Sequence, residues 1–189
     1  MCGRYNFTVE QSDEVMEILE KINAKFHGKE FKTGEIFPTN LVPILREEDH
    51  EVSPTLSNWG FPKFDQKGVI INARAETAIE KRTFRESLLS RRCIIPSTGF
   101  YEWNAEKKKF LFRLPETYTL YMAGIYNYYG DEMRYVILTT DANESIRDVH
   151  NRMPLIIPKA KVNTWIMDGT VTNDMLHDSP PMLIRELVS

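Results

Sequence analysis

The stretch CIIPSTGFYEWNAEKKKFLFRLPETYTLYMAGIYNYYGDEMRYVILTT, residues 93–140, decides the fold. Its runs at 93–95, 99–103, 110–114, 119–125 and 133–140 are rich in β-branched and aromatic residues, which suit the pleated, half-buried surface of a strand. Between them, 104–109 and 127–132 carry turn formers and charge and read as hairpin tips. Several short strands joined by tight turns predict a mostly antiparallel sheet or closed barrel.

Working outward, residues 41–45, 52–59 and 69–72 are further short apolar runs bounded by turn residues, and read as strands. Thr8 with Gln11 three residues on resembles a capping box, and Val15, Leu19, Ile22 and Phe26 then recur at helical spacing, which predicts a helix over 9–25. A second helix is expected over 76–89, where Ala78, Ile79, Leu88 and Leu89 lie among charges without Gly or Pro. A short helix at 145–150, ended by Pro154, and another at 160–168 complete the reading. The fold class is α+β: a β-rich, mostly antiparallel barrel-like core with a few peripheral helices. A chain of 189 residues suits one well-buried domain, and no repeat, low-complexity segment or linker divides it, so a single domain over 1–189 is expected.

Composition narrows the classes. Hydrophobic residues at 42% and charged residues at 27% argue against disorder as the main state. No apolar run approaches a membrane span, and no basic segment with an apolar core opens the chain, so a cytoplasmic protein without membrane contact is expected. Of the two cysteines, Cys93 lies in an apolar run and reads as core. The net charge of −3 decides little about nucleic acid, because binding needs only a local basic groove. His27, His50, His150 and His177 stand at no zinc-like spacing, CxxC and HExxH strings are absent, and phosphate-loop and dinucleotide fingerprints are missing. Neither a metal nor a cofactor is expected.

The terminus Met1-Cys2-Gly3-Arg4 carries the strongest nucleophile, since no GxSxG elbow occurs. Once Met1 is trimmed, Cys2 presents an α-amine with a reference pKa of about 7.7–8.0 and a thiol near about 8.5 on adjacent carbons. An aldehyde meeting that pair gives an imine, and the thiol can close a ring on it. Taken alone, Cys2 is equally a small, inert hydrophobe. Three other strings set polar groups among aromatics and turn formers: Asn72-Ala73-Arg74-Ala75-Glu76, Gly99-Phe100-Tyr101-Glu102-Trp103 and His150-Asn151-Arg152-Met153-Pro154. Glu102 either faces solvent from an alternating strand or packs inward, where desolvation would raise its pKa toward that of a neutral-pH proton carrier. His150 is a proton exchanger or a helix cap, and Asn72 orients a substrate group or ends a strand. Arg4, Arg74 and Arg152 lie inside these strings and can clamp phosphates, whereas 107–109 is a solvated lysine loop. Trp59 is either core or a surface for stacking unpaired bases.

Together and in this order, the four strings resemble those of the SOS-response-associated peptidase family, the abasic-site-processing proteins, over nearly the whole chain. The resemblance implies a β-rich fold with a barrel-like core and a protein that binds single-stranded DNA containing abasic sites. It implies that Cys2, after Met1 removal, forms a thiazolidine with the open-chain sugar aldehyde. Asn72 would then orient Cys2, Glu102 and His150 would move protons, and Arg4, Arg74 and Arg152 would grip phosphates, with Arg82 as a further contact. Trp59, Pro38 and Thr140 would shape the strand near the lesion. Peptidase-like self-processing would be the removal of Met1, beside lyase-type activity; a monomer, nucleoid-associated when bound to DNA, is expected. The chain also ends at Ser189 sooner than the resemblance leads one to expect, so an edge of the core or DNA channel would be missing. Two other readings compete: a cysteine peptidase acting on proteins through Cys2 with His150 as base, and a non-covalent single-stranded-DNA-binding module.

Overall fold

The structure, a computed structural model, describes residues 2–8, 12–65 and 67–188. In chain order the first half comprises β1 (Tyr5–Phe7), α1 (Asp13–Lys25), β2 (Gly34–Ile36), β3 (Leu41–Glu48), β4 (Glu51–Trp59), β5 (Phe61–Pro62), β6 (Val69–Ile70), β7 (Asn72–Arg74), α2 (Ala75–Ala78) and α3 (Arg82–Ser90). The second comprises β8 (Arg92–Ser97), β9 (Gly99–Trp103), β10 (Lys109–Arg113), β11 (Leu120–Tyr129), β12 (Glu132–Asp141), β13 (Arg152–Pro154), α4 (Val162–Met167), α5 (Thr172–Leu176) and β14 (Ile184–Val188).

Five strands close on themselves. β11 pairs β8, β8 pairs β3, β3 pairs β4, β4 pairs β12, and β12 returns to β11, so no edge is left in the ring. The expected barrel-like, mostly antiparallel core is therefore present; the β4–β12 seam, with Tyr135 opposite Trp59, is parallel. Tight turns set the register. Asp49 and His50 both adopt positive φ, as a two-residue hairpin turn requires, and Gly130 at φ 61 opens the β11–β12 turn, which is narrower than the tip expected at 127–132.

A second sheet, ordered β14-β10-β9-β1-β2, is antiparallel throughout. Its β1 seats the N-terminal string, with Tyr5 opposite Phe100. Gly99 opens β9 at φ 144, and a Cβ there would stand 2.8 Å from the Phe112 carbonyl oxygen, so this close strand approach requires glycine.

The helices differ from the reading in detail. Ser12, extended at φ −154 and ψ 120, caps α1 by accepting the Val15 N–H at 3.3 Å, and Val15, Ile18, Leu19 and Ile22 form its buried stripe. The capping residue is thus Ser12; Gln11, on which the expected box depended, lies outside the described residues, as do Val9 and Glu10. The helix expected over 76–89 is two, because the extended backbone of Lys81 (φ −85, ψ 118) separates α2 from α3. Residues 144–149 form consecutive turns and not a helix: Asn143 Oδ1 takes the Ser145 N–H and hydroxyl, an Asx arrangement that competes with helical pairing. Buried Arg92 joins the barrel to its helices. Its guanidinium donates to the carbonyls of Leu88 and Leu89 at the end of α3 (3.1 and 2.7 Å) and of Trp165 and Ile166 at the end of α4 (2.7 and 3.3 Å). Among the described residues no helix is long and apolar enough to cross a membrane.

Candidate active site around Cys2

The second sheet and the barrel meet at Cys2, which is fully buried. Two strand pairings bring sequence-distant strings there. β1 lies against β9, where the Tyr101 N–H donates to Arg4 O at 2.9 Å, and β7 runs parallel to β12 with Asn72 opposite Ile137. Asn72 Nδ2 donates to Cys2 O at 2.9 Å, and the thiol of Cys2 lies 3.7 Å from Arg4 O. Asn72 Oδ1 is buried with no hydrogen-bond partner among the described residues.

Glu102 is 3% exposed. On β9 it shares a face with the fully buried Phe100, two residues away, so it points inward while Tyr101 and Trp103 take the other face. Burial raises its pKa above the usual carboxylate range, and the nearby His150 only partly opposes this. The Cys2 thiol is likewise pushed far up, first by burial and then by the charge of Glu102. His150 Nδ1 accepts the Arg152 N–H at 3.0 Å, which leaves the proton of a neutral imidazole on Nε2. Cys2, Asn72, Glu102 and His150 thus form one cluster, linked by the Asn72–Cys2 hydrogen bond and by electrostatic contact from Glu102 to both Cys2 and His150. It can hold a neutral, buried thiol beside an orienting amide and two proton carriers, with Asn72 and His150 partly open to solvent.

The residues expected to contact a strand divide. Arg74 is exposed at the end of β7, on the same face as Asn72, and makes no side-chain hydrogen bond or ion pair among the described residues. Arg4 is half-buried, donating to Glu35 at 2.9 Å beside the Phe37 ring. Arg82 is exposed at the start of α3, without a contact to the Cys2 cluster among the described residues. Pro38 lies in the turn closed by Phe37 N–H to Asn40 Oδ1 at 2.9 Å, and Thr140 donates to Glu76 at 3.4 Å.

Two expectations need correction. Trp59 has no exposed face for a base: it is 0% exposed, tilted against Tyr5 at 5.3 Å and stacked with Tyr135 at 6.3 Å. Its Nε1–H donates to Ile71 O at 3.0 Å, so it anchors the residue before Asn72. Arg152 is not poised to grip phosphate, because its guanidinium is buried and both terminal nitrogens are engaged, with Nε alone lacking a hydrogen-bond partner among the described residues. It contacts Glu76 at 2.8 and 2.9 Å, Asp141 at 2.6 Å and Thr139 O at 2.6 Å, tying β13, α2 and β12 together. Sequence reasoning missed both carboxylates, and it missed Glu35, Phe37 and Lys109 beside Arg4. Glu76 did lie inside a noted string; Asp141 is eleven residues from Arg152, and Glu35, Phe37 and Lys109 are more than thirty from Arg4, so no local pattern signals these partners.

Known proteins resemble this chain over most of its length. The family model described as SOS response associated peptidase (SRAP) matches residues 1–184. Abasic site processing protein YoqW of Bacillus phage SPbeta is 31% identical over 195 residues, covering 94% of this chain and 85% of the relative. YoaM of Bacillus subtilis (strain 168) is 30% identical, covering 94% and 84%. YedK of Escherichia coli (strain K12) is 27% identical, covering 88% and 79%. Among solved structures, a protein from Bacteroides thetaiotaomicron shares the fold with a TM-score of 0.80 at 24% identity, over 100% of this chain and 92% of that one. The chain belongs to the SOS response associated peptidase (SRAP) family.

Proposed function

We propose that this protein processes abasic sites in single-stranded DNA by forming a thiazolidine between Cys2, made N-terminal by loss of Met1, and the ring-opened sugar aldehyde. The observation that carries the reading is Asn72, whose Nδ2 holds Cys2 O at 2.9 Å while its buried Oδ1 keeps an acceptor open among the described residues. An amide so placed suits the N–H of a Cys2 amine. The names of the relatives, abasic site processing proteins, support the substrate.

The amine adds to the aldehyde carbon and water leaves, giving an imine. The thiol then adds to the imine carbon, its proton passing to the imine nitrogen, so one water is the net loss. Burial keeps the thiol protonated, which favours attack by the amine first and runs against an ordinary thiol-protease role that needs a thiolate. Glu102, its pKa raised, can give a proton to the departing hydroxyl and take one from the thiol. His150 exchanges protons through Nε2, its Nδ1 being taken by the Arg152 amide. Arg74, Arg4 and Arg82 meet phosphates, Pro38 and Thr140 border the strand, and the peptidase-like step is the removal of Met1.

The test is incubation of Met1-free protein with a single-stranded oligonucleotide whose one uracil has been excised. A protein–DNA band that survives denaturation is expected, with none on the undamaged strand. Failure to form any such band contradicts the proposal.

A further inference from the structure

Two cations on the outer face of the second sheet converge on one carboxylate oxygen. Arg4 Nη1 lies 2.9 Å and Lys109 Nζ 2.6 Å from Glu35 Oε1. The three side chains remain 27%, 22% and 32% exposed, so water and solutes reach the cluster. Aromatic rings border it: the Arg4 guanidinium is 3.7 Å from the Phe37 ring centroid and 5.5 Å from that of Trp103, and the Lys109 ammonium is 4.1 Å from that of Tyr101. Phe37 is 41% exposed. Strand register accounts for the grouping, because Tyr101 and Trp103 take the face of β9 opposite to Glu102, and Lys109 stands opposite Trp103. Arg4 is also two residues from Cys2, and its carbonyl receives the Tyr101 amide.

Two cations around one partly exposed oxyanion leave a surplus positive charge, and the exposed ring beside them suits a base or sugar attached to the anion. We propose that Glu35 occupies the seat of a DNA phosphate, held between Arg4 and Lys109 until a strand displaces it. Lys109 is then a phosphate-binding residue, and Glu35 is an internal competitor that sets how tightly the strand is held. The inference rests on the reading of this protein as a binder of single-stranded DNA. Phosphate replaces carboxylate without any covalent step, and the cluster goes from a net charge of +1 to zero if the released Glu35 stays nearby.

Binding of an undamaged fluorescein-labelled oligothymidylate of about 15 nucleotides, within the range of single-strand site sizes, tests this by anisotropy. Glu35→Gln should bind roughly three- to tenfold tighter at about 50 mM salt, because the strand no longer has to displace the carboxylate from Arg4 and Lys109. Lys109→Met should weaken binding and, combined with Glu35→Gln, remove most of the gain. Glu51→Gln, the same charge change at the exposed start of β4, should leave affinity unchanged. The proposal is overturned by unchanged or weaker binding in Glu35→Gln, by a gain that survives Lys109→Met, by an equal gain from Glu51→Gln, or by no binding in any variant. Crosslinking to abasic DNA is scored separately. A crosslink without a Glu35 effect removes only the phosphate seat, and a Glu35 effect without a crosslink removes only the abasic-site reading.

Discussion

Cys2 and Cys93 are both 0% exposed, and burial pushes both thiols well above the ordinary range. Their surroundings differ. Cys93 sits on β8 with its thiol against the Gly124 backbone, and its carbonyl takes the Trp165 indole N–H at 2.9 Å. Burial alone accounts for the rise at Cys93. Cys2 has the same burial but lies beside Glu102, and Asn72 holds its carbonyl. Burial by itself makes a thiol inert; what distinguishes Cys2 is polar groups delivered from β7, from β9 and from the segment just before β13, together with the amine that removal of Met1 would expose.

The largest contrast is in covalent chemistry. Cys2→Ala, or retention of Met1, should abolish the denaturation-resistant band, whereas Cys93→Ala should keep its yield within about twofold, since no reacting atom is lost. A band that depends on Cys93 would collapse the comparison. Next comes the carboxylate that marks the Cys2 side. Glu102→Gln should slow crosslinking by roughly 10²–10⁴-fold, the usual worth of a positioned acid–base group, read from band intensity against time. The same variant has a stability signature. Because the folded-state pKa of Glu102 is raised, its contribution is present below the unfolded value of about 4.3 and lost as pH rises through the folded value. Thermal midpoints of Glu102→Gln should therefore gain on the wild type as pH rises from 5 to 8; an unchanged difference would place Glu102 in water.

The smallest effects separate scaffold from chemistry. Arg152→Met should cost about 3 kcal/mol in denaturant unfolding, because Glu76 and Asp141 lose their partner while the Thr139 carbonyl loses a donor. Against its desolvation, Arg152 holds the Glu76 carboxyl below its usual range, so that pair supplies stability at neutral pH and loses it as pH falls through the lowered value. Cys93→Ala should cost only roughly 1 kcal/mol by leaving a small cavity. A marked weakening of DNA binding by Arg152→Met without loss of stability would return that arginine to the strand.

Much of this difference is legible in the amino-acid sequence. The strand runs in 93–140 follow from β-branched and aromatic content, which local packing respects, and they appear as β8 to β12. The burial of Cys93 follows from its apolar neighbours. Glu102 was ambiguous because alternation alone does not say which face of β9 meets the core; the pairing of β9 with β1 decides it. Trp59 and Arg152 misled because their residue types suit both a strand-binding surface and an interior. Trp59 finds Tyr5, Tyr135 and the Ile71 carbonyl, and Arg152 finds two acids, through contacts that span many residues and leave no local trace. The helix expected at 145–150 failed for a nearer reason, the Asn143 side chain pairing with Ser145.

The central claim is that both nucleophiles of one residue enter the product. Tryptic digestion of the crosslinked, nuclease-trimmed protein yields the peptide Cys2-Gly3-Arg4, whose mass and fragmentation test the claim most directly. The account predicts an adduct on Cys2 equal to the sugar fragment less one water, with neither a free α-amine nor a free thiol remaining on that residue. An adduct on Cys93, on a lysine as a reducible imine, or on Cys2 with its thiol still open to alkylation would contradict it.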